Sequence, residues 1–348
     1  MAIDFSRLLP LGWSPFHSSQ LSLEQLDTVR PARVVQVGRG RYRVHDGTDV
    51  WTAVLSGRLQ RESSDLPTVG DWVLLAAGHA VIVARLERRT LIARREAGGA
   101  AAQAIAANID LMVIVSGLDA GFNLHRIERY LVLAAQADVT SLVLLTKSDL
   151  VADPGAAIAQ VRTRLPATAE VLAVNALRDP LVERLAPWLG MGNTLVVVGS
   201  SGVGKSTVVN NLAGHAAQAT GTTRRDAKGR HTTTARVLIR LAGGACIIDV
   251  PGMREVGLAG EGGVARQFGS IAALAAGCRF ADCTHGTEPG CAVRAAVERG
   301  DVEADAWMHY LKLSQEERQS IPEHERRRRG RVFGRMVRKA LATKEKNR

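Results

Sequence analysis

The chain has 348 residues, of which 46% are apolar and 23% charged, and a formal net charge of +11. That length allows two or three domains, and the composition is that of a globular protein able to bury a large core. No run of 18 apolar residues occurs, and Met1 to Leu11 carries Asp4 and Arg7 without a long apolar stretch; a membrane-spanning helix and a secretory signal are therefore not expected.

Residues 1–30 read as an irregular N-terminal extension with Pro10, Pro15 and several serines. Over 31–98 the pattern is short and alternating: Ala32–Val37, Tyr42–Val44, Val50–Val54, Val69–Leu75 and Ala80–Ala84, with Gly and Asp between the runs. Five short strands predict a small β-barrel. An oligonucleotide-binding (OB) barrel fits, and a barrel of another topology fits the pattern equally well.

Over 99–258 long apolar strands alternate with helices. Strands are predicted at Asp110–Val115, Ser141–Leu145, Glu170–Val174, Leu195–Val198, Val237–Leu241 and Ala245–Ile248. Helices are predicted at His125–Ala137, Ala156–Arg164 and Lys205–Leu212. Continuous apolar strands with helical crossovers predict a mostly parallel sheet covered on both faces. Over 259–325 the chain reads as helical around a Cys/His cluster. The segment 326–348 is a basic tail, with eleven Lys or Arg against the single acid Glu345, so that the rest of the chain is nearly neutral. Arg30 to Arg95 is also basic, with twelve arginines against six acids. Two basic regions predict a polyanionic partner, nucleic acid above all; a solvated tail that only aids solubility is the alternative.

Gly199-Ser200-Ser201-Gly202-Val203-Gly204-Lys205-Ser206, followed by Thr207, matches the phosphate-binding loop and sits between a strand and a helix, the context that confirms it. Glycines let successive backbone N–H groups turn toward phosphate oxygens, and the helix N-terminus adds positive potential. Lys205 is expected to reach the β- and γ-phosphates and Ser206 to ligate Mg²⁺. Asp249-Val250-Pro251-Gly252 ends a strand, so that Asp249 can hold Mg²⁺ through water and the Gly252 N–H can meet the γ-phosphate. Between them lies Gly229-Arg230-His231-Thr232-Thr233-Thr234. One of its threonines is expected to complete the Mg²⁺ shell. The sequence does not say which, and Thr233 is carried forward as the candidate. The segment has the polar character of a switch. Met253 stands where a Gln often orients the attacking water, so slow intrinsic hydrolysis is expected, with His231 a candidate replacement.

Thr146-Lys147-Ser148-Asp149 closes a strand. A carboxylate at Asp149 can accept from the guanine ring N–H and exocyclic amine, a pattern that adenine lacks, while the Lys147 stem lies across the base. Asn is usual where Thr146 stands, so weaker base affinity is expected. Asn175 and Ala176, after the next strand, resemble the loop whose backbone N–H meets guanine O6. These base motifs precede the phosphate motifs, the reverse of the usual order. The chain thus reads as a circularly permuted GTPase binding GTP and GDP. Cys278, Cys283, His285 and Cys291 have the spacing C-x4-C-x-H-x5-C, a closed tetrahedral set suited to one structural Zn²⁺; Cys246, inside an apolar strand, reads as core.

Together these residues, with Gln103–Asp110 (QAIAANID), resemble the circularly permuted, ribosome small-subunit-dependent GTPase A family of RsgA/YjeQ type, from about Arg33 to Val293. The resemblance implies an OB barrel, a permuted GTPase domain and a C-terminal zinc-binding domain. It also implies late maturation of the small ribosomal subunit, with hydrolysis stimulated by that subunit and the basic regions facing its rRNA. Departures are Thr146 for Asn, Val250 for Thr and Asn175 for Ser. A cytoplasmic monomer is expected. The competing readings are a GTP-dependent switch recruiting a protein partner without a ribosomal role, and a P-loop ATPase or nucleic-acid-binding module in which the Lys147/Asp149 match is accidental.

Overall fold

The computed structural model describes residues 3–62, 66–76, 78, 80–95, 102–166, 169–214, 236–250 and 257–320. His231, Thr233, Gly252 and the basic tail 326–348 lie outside these residues.

The N-terminal segment forms short helical turns, Phe5–Leu11, Pro15–Ser18 and Gln25–Thr28, where an irregular extension is predicted. Leu8, Leu11 and Trp13 are buried, and Trp13 meets Trp72 edge-on at 4.8 Å. The apolar contact orders a stretch whose local sequence is poor in helix formers.

Five strands follow: β1 (Val29–Val37), β2 (Tyr42–His45), β3 (Val50–Leu55), β4 (Trp72–Ala76) and β5 (Val81–Arg85). They run in the order β1-β2-β3-β5-β4, and β4 returns to β1. β3 and β5 are parallel and the other neighbours antiparallel. This closed five-stranded path is that of an OB barrel. Its interior holds Ala32, Val34, Tyr42, Val44, Ala53, Val73, Leu75 and Ile82. The nine-residue β1 closes it because Val29–Arg33 pairs with β4 while Arg33–Val37 pairs with β2, across a register shift between Val34 and Gln36. The hairpin β6 (Leu91–Arg95) and β7 (Ala102–Ala107) comes next.

The second layer system contains β8 (Leu111–Gly117), β9 (Thr140–Thr146), β10 (Glu170–Ala173), β11 (Thr194–Val198), β12 (Val237–Arg240) and β13 (Cys246–Asp249), in the order β10-β9-β8-β11-β13-β12. All its pairs are parallel except β12–β13. β8 and β11 are buried along their whole length, as central strands covered on both faces must be. Alternation sorts their side chains. Met112, Ile114, Val196 and Val198 face the helix Leu124–Gln136 with its Ile127, Tyr130 and Leu131. Leu111, Val113, Val115, Leu195 and Val197 face the helix Lys205–Ala213 with its Val208, Val209 and Leu212. Helices Gly263–Gln267, Gly269–Ala275, Ala292–Arg299 and Ala304–Ser320 complete the described chain. Their Val293, Ala296 and Leu313 belong to the same core as the helix Leu124–Gln136.

Two features join barrel and sheet. Gln36 of β1 pairs with Val237 of β12, so the two sheets are continuous. Arg33, fully buried, donates to the carbonyls of Leu11, Gly70 (3.2 Å) and Asn108 (3.0 Å) and to Thr194 Oγ1 (2.8 Å). A guanidinium carries five donors, enough to satisfy acceptors from four segments at once.

Candidate functional site

The phosphate loop, residues 199–204, leaves the C-terminal end of β11 and enters the helix Lys205–Ala213. Gly199 has φ +147°, and a Cβ there would lie 2.3 Å from the Val115 carbonyl of β8, so only glycine lets the loop pass so close to that strand. Lys205 Nζ donates to the carbonyls of Gly199 (2.9 Å) and Ser200 (2.5 Å). Ser206 and Thr207 sit in the first turn of the helix, where backbone N–H groups point out unpaired. Asp249 ends β13 opposite Val197, one residue before the loop strand ends, and is only 9% exposed. Sheet register thus brings the expected Mg²⁺-side carboxylate to the loop from 44 positions downstream of Lys205.

The base motif closes β9, two strands away. Thr146 is buried, and its hydroxyl donates to the Val203 carbonyl inside the phosphate loop, with Ser116 O at 3.4 Å. The hydroxyl therefore ties the base side to the phosphate side instead of reaching outward. Lys147 takes a left-handed conformation, φ +58°, and its ammonium pairs with Asp119, two residues past the end of β8. That hydrogen bond holds the Asp119 carboxyl below the usual carboxylate range. Asp149 follows in an exposed turn, Ser148–Leu150, and Ser148 N donates to Val174 O at 3.2 Å. In the next loop Asn175 N donates to Asp179 Oδ2 (3.0 Å), and Asn175 Oδ1 accepts from Leu177 N (3.1 Å). Asn211, on the phosphate-loop helix, donates to the carbonyls of Ala176 and Asp179, both at 3.1 Å. Both base segments are thus stitched to the phosphate loop or its helix. Asp119, Asp179 and Asn211 carry no motif spacing, and the sequence reading missed them; only tertiary contact reveals them.

Cys278, Cys283, His285 and Cys291 bring their ligand atoms within 4.8 Å of one another. His285 Nδ1 lies 3.5 Å from Cys278 Sγ and 3.6 Å from Cys291 Sγ, and those sulfurs are 3.9 Å apart. A tetrahedron with ~2.3 Å metal–sulfur bonds has edges of about 3.8 Å, so the spacing of Cys278, His285 and Cys291, with Cys283 inside the same 4.8 Å cluster, is compatible with Zn²⁺. Glu288 shapes the intervening turn by accepting from Thr284 N (2.8 Å), Thr284 Oγ1 (2.5 Å) and Gly286 N (3.0 Å). The Thr284 hydroxyl bond leads in holding its carboxyl down to about 2.

Against known proteins, the family model described as RsgA GTPase matches residues 85–259. The chain belongs to the RsgA GTPase family. It is 44% identical over 329 residues to the small ribosomal subunit biogenesis GTPase RsgA of Opitutus terrae, covering 89% of each chain. It is 47% identical over 290 residues to the protein of that name from Xylella fastidiosa strain M12, covering 82% of this chain and 87% of the relative. The crystal structure of YjeQ from Thermotoga maritima shares the fold at a TM-score of 0.62 and 23% identity, over 83% of this chain and 98% of that one. The crystal structure of YloQ, a circularly permuted GTPase, shares it at a TM-score of 0.56 and 23% identity, over 85% and 97%. As an RsgA-family GTPase this chain hydrolyses GTP, and its fold is the OB barrel, the permuted P-loop domain and the helical C-terminal region with its Cys₃His set. Among the described residues no helix is long and apolar enough to cross a membrane.

Proposed function

We propose that this GTPase binds the small ribosomal subunit, acts in its late maturation and hydrolyses GTP to GDP and phosphate under stimulation by the subunit. The observation that carries the nucleotide part is the stitching of base motif to phosphate loop, Thr146 to Val203 and Asn211 to Ala176. The ribosomal part rests on the names of the relatives and on the basic character of 31–98 and 326–348.

In this reading Gly199–Gly204 and Thr207 cradle phosphates with backbone N–H groups, and Lys205 exchanges its carbonyl partners for β- and γ-oxygens. Ser206 and Thr233, with Asp249 through water, would hold Mg²⁺, which would supply positive charge toward the phosphates. The buried Asp249, paired with Val197 on the strand that leads into the phosphate loop, suits that ion. Asp149 reads guanine, Lys147 covers it, and the loop Asn175–Ala176 meets O6. Gly252 contacts the γ-phosphate, and His231 helps orient water in place of the side chain that Met253 lacks. Cys278, Cys283, His285 and Cys291 hold one Zn²⁺. The working domain limits are 31–98, 99–258 and 259–325, and the protein acts as a cytoplasmic monomer on rRNA.

The test is GTP turnover by the protein alone, with small subunits and with large subunits, ATP serving as control. Stimulation by small subunits only, without ATP turnover, supports the reading. Turnover indifferent to subunits removes the ribosomal role and favours a switch with a protein partner.

A further inference from the structure

Among the described residues, a dense polar cluster outside the nucleotide and cysteine sites lies where the helix Leu124–Gln136 meets the helix Ala304–Ser320. His309 Nδ1 meets Glu128 Oε2 at 2.5 Å, and His125 Nε2 meets Asp305 Oδ2 at 2.9 Å. Arg164 reaches Glu128 (3.2 Å), Glu303 (2.7 Å) and Asp305 (2.8 Å). The two imidazoles are stacked, 4.2 Å between centroids and 24° between planes. Each ring has its own carboxylate, and although one nitrogen of each ring and a Glu128 oxygen lie within 4.8 Å of one another, these ion pairs already clamp the two helices together. Arg129 adds a two-pronged ion pair with Glu316, both contacts at 2.8 Å, and Gln136 donates to Glu317 at 3.0 Å. The helix is held to its partner from first turn to last.

Its first turn also touches the phosphate loop. Arg126 Nη1 donates to Ser200 Oγ at 3.2 Å. Ser200 is one of the two residues whose carbonyls accept from Lys205. Ser200 thus joins the phosphate-binding lysine to a helix clamped onto the C-terminal region. Further along, Trp307 Nε1 donates to the His285 carbonyl at 3.2 Å, carrying the contact chain to the cysteine cluster.

We propose that the helix Leu124–Gln136 relays phosphate-loop occupancy to the helix Ala304–Ser320, with Arg126 as the positioning residue that acts through Ser200. A phosphate seated in the loop takes Lys205 as its partner and frees the Ser200 carbonyl. Ser200 then resettles, and the permanently charged guanidinium on its hydroxyl passes the shift to a helix that moves as one body with its clamp. This relay rests on the phosphate site proposed above.

Hydrogen exchange across residues 304–320 of the full chain tests it, with GDP, with a non-hydrolysable GTP analogue and without nucleotide, affinities being measured on the same samples. In the wild type, nucleotide changes exchange there by about two- to thirtyfold, the span of coupling through packed networks. Arg126→Gln binds nucleotide as the wild type does but loses the response, Arg126→Lys, which can still donate to Ser200, keeps part of it, and Arg129→Gln weakens it from the other end. An unchanged response in Arg126→Gln, or none in the wild type, overturns the proposal. So does loss of nucleotide binding in Arg126→Gln, which would make Arg126 a phosphate ligand. Failure of the wild type to bind nucleotide appears separately in the affinities and overturns the phosphate site along with the relay.

Discussion

Replacing Thr146 by Val removes one hydroxyl at nearly constant shape. In the structure that hydroxyl is buried and donates to the Val203 carbonyl, in the middle of the phosphate loop. Without it the carbonyl is left without that donor in a protein interior, at a cost of about 1–3 kcal/mol. The loop can relieve this by turning the peptide toward water, but a bound phosphate requires it back. The cost therefore appears in nucleotide affinity, as a weakening of about 5- to 140-fold at 1.4 kcal/mol per decade. It should fall alike on GTP and GDP, since the contact braces the loop and touches neither base nor γ-phosphate. Thr146→Ser, which keeps the hydroxyl, should bind nearly as the wild type does. Equilibrium titration with a fluorescent GDP and competition by GTP measures each. A Val variant with wild-type affinity, or one that discriminates between GTP and GDP, refutes the bracing role.

Asp149→Asn should reduce the preference for guanine over adenine nucleotides and leave the fold intact; turnover assays with GTP and ATP check this, and an unaltered preference removes Asp149 from the base site. Chelation should release one Zn²⁺ per chain and loosen residues 278–302, whose short helix Ala292–Arg299 is capped by the Cys291 sulfur and is too brief to persist unaided. Metal analysis with circular dichroism reads the outcome, and a metal-free chain with full ellipticity counts against the site. Burial pushes the His17 imidazole down to about 4 from an ordinary 6.5. Because the unfolded chain takes up that proton first, His17 favours unfolding as pH falls. Its full stability is present above pH 6.5, and about 3 kcal/mol is lost between pH 6.5 and 4. Urea midpoints across that range should fall less steeply in His17→Leu, and equal slopes would exclude His17 as the cause.

The sheet and the phosphate loop were legible because they are written locally. β8 and β11 are continuous apolar runs, and the loop needs its glycines and lysine in fixed order. Barrel strands were legible as alternation, but not their path; closure depends on β1 changing partner at Val34–Gln36, a long-range pairing that no local pattern encodes. The hairpin Leu91–Arg95 with Ala102–Ala107 and the buried Leu8 and Leu11 escaped for the same reason. At the proposed site, Lys147 and Asp149 stand out in the sequence by their spacing, whereas the contacts of Asp119, Arg126 and Asn211 are made with residues 28, 74 and 35 positions away. Thr146 shows the limit from the other side: its identity was read as a departure at the base, while its hydroxyl faces the loop.

The pairing of Gln36 with Val237 has a mechanical consequence. β12 is the outer strand of the GTPase sheet, and the barrel is what covers its free edge. A chain shortened to remove the barrel would expose that row of unpaired N–H and C=O groups, an invitation to self-association. Loss of activity in such a truncation would therefore measure an uncovered edge as much as the loss of the proposed RNA contact. In the intact protein the same hydrogen bonds make the barrel a handle: a load applied to it is felt first by β12 and then, through β13, by Asp249.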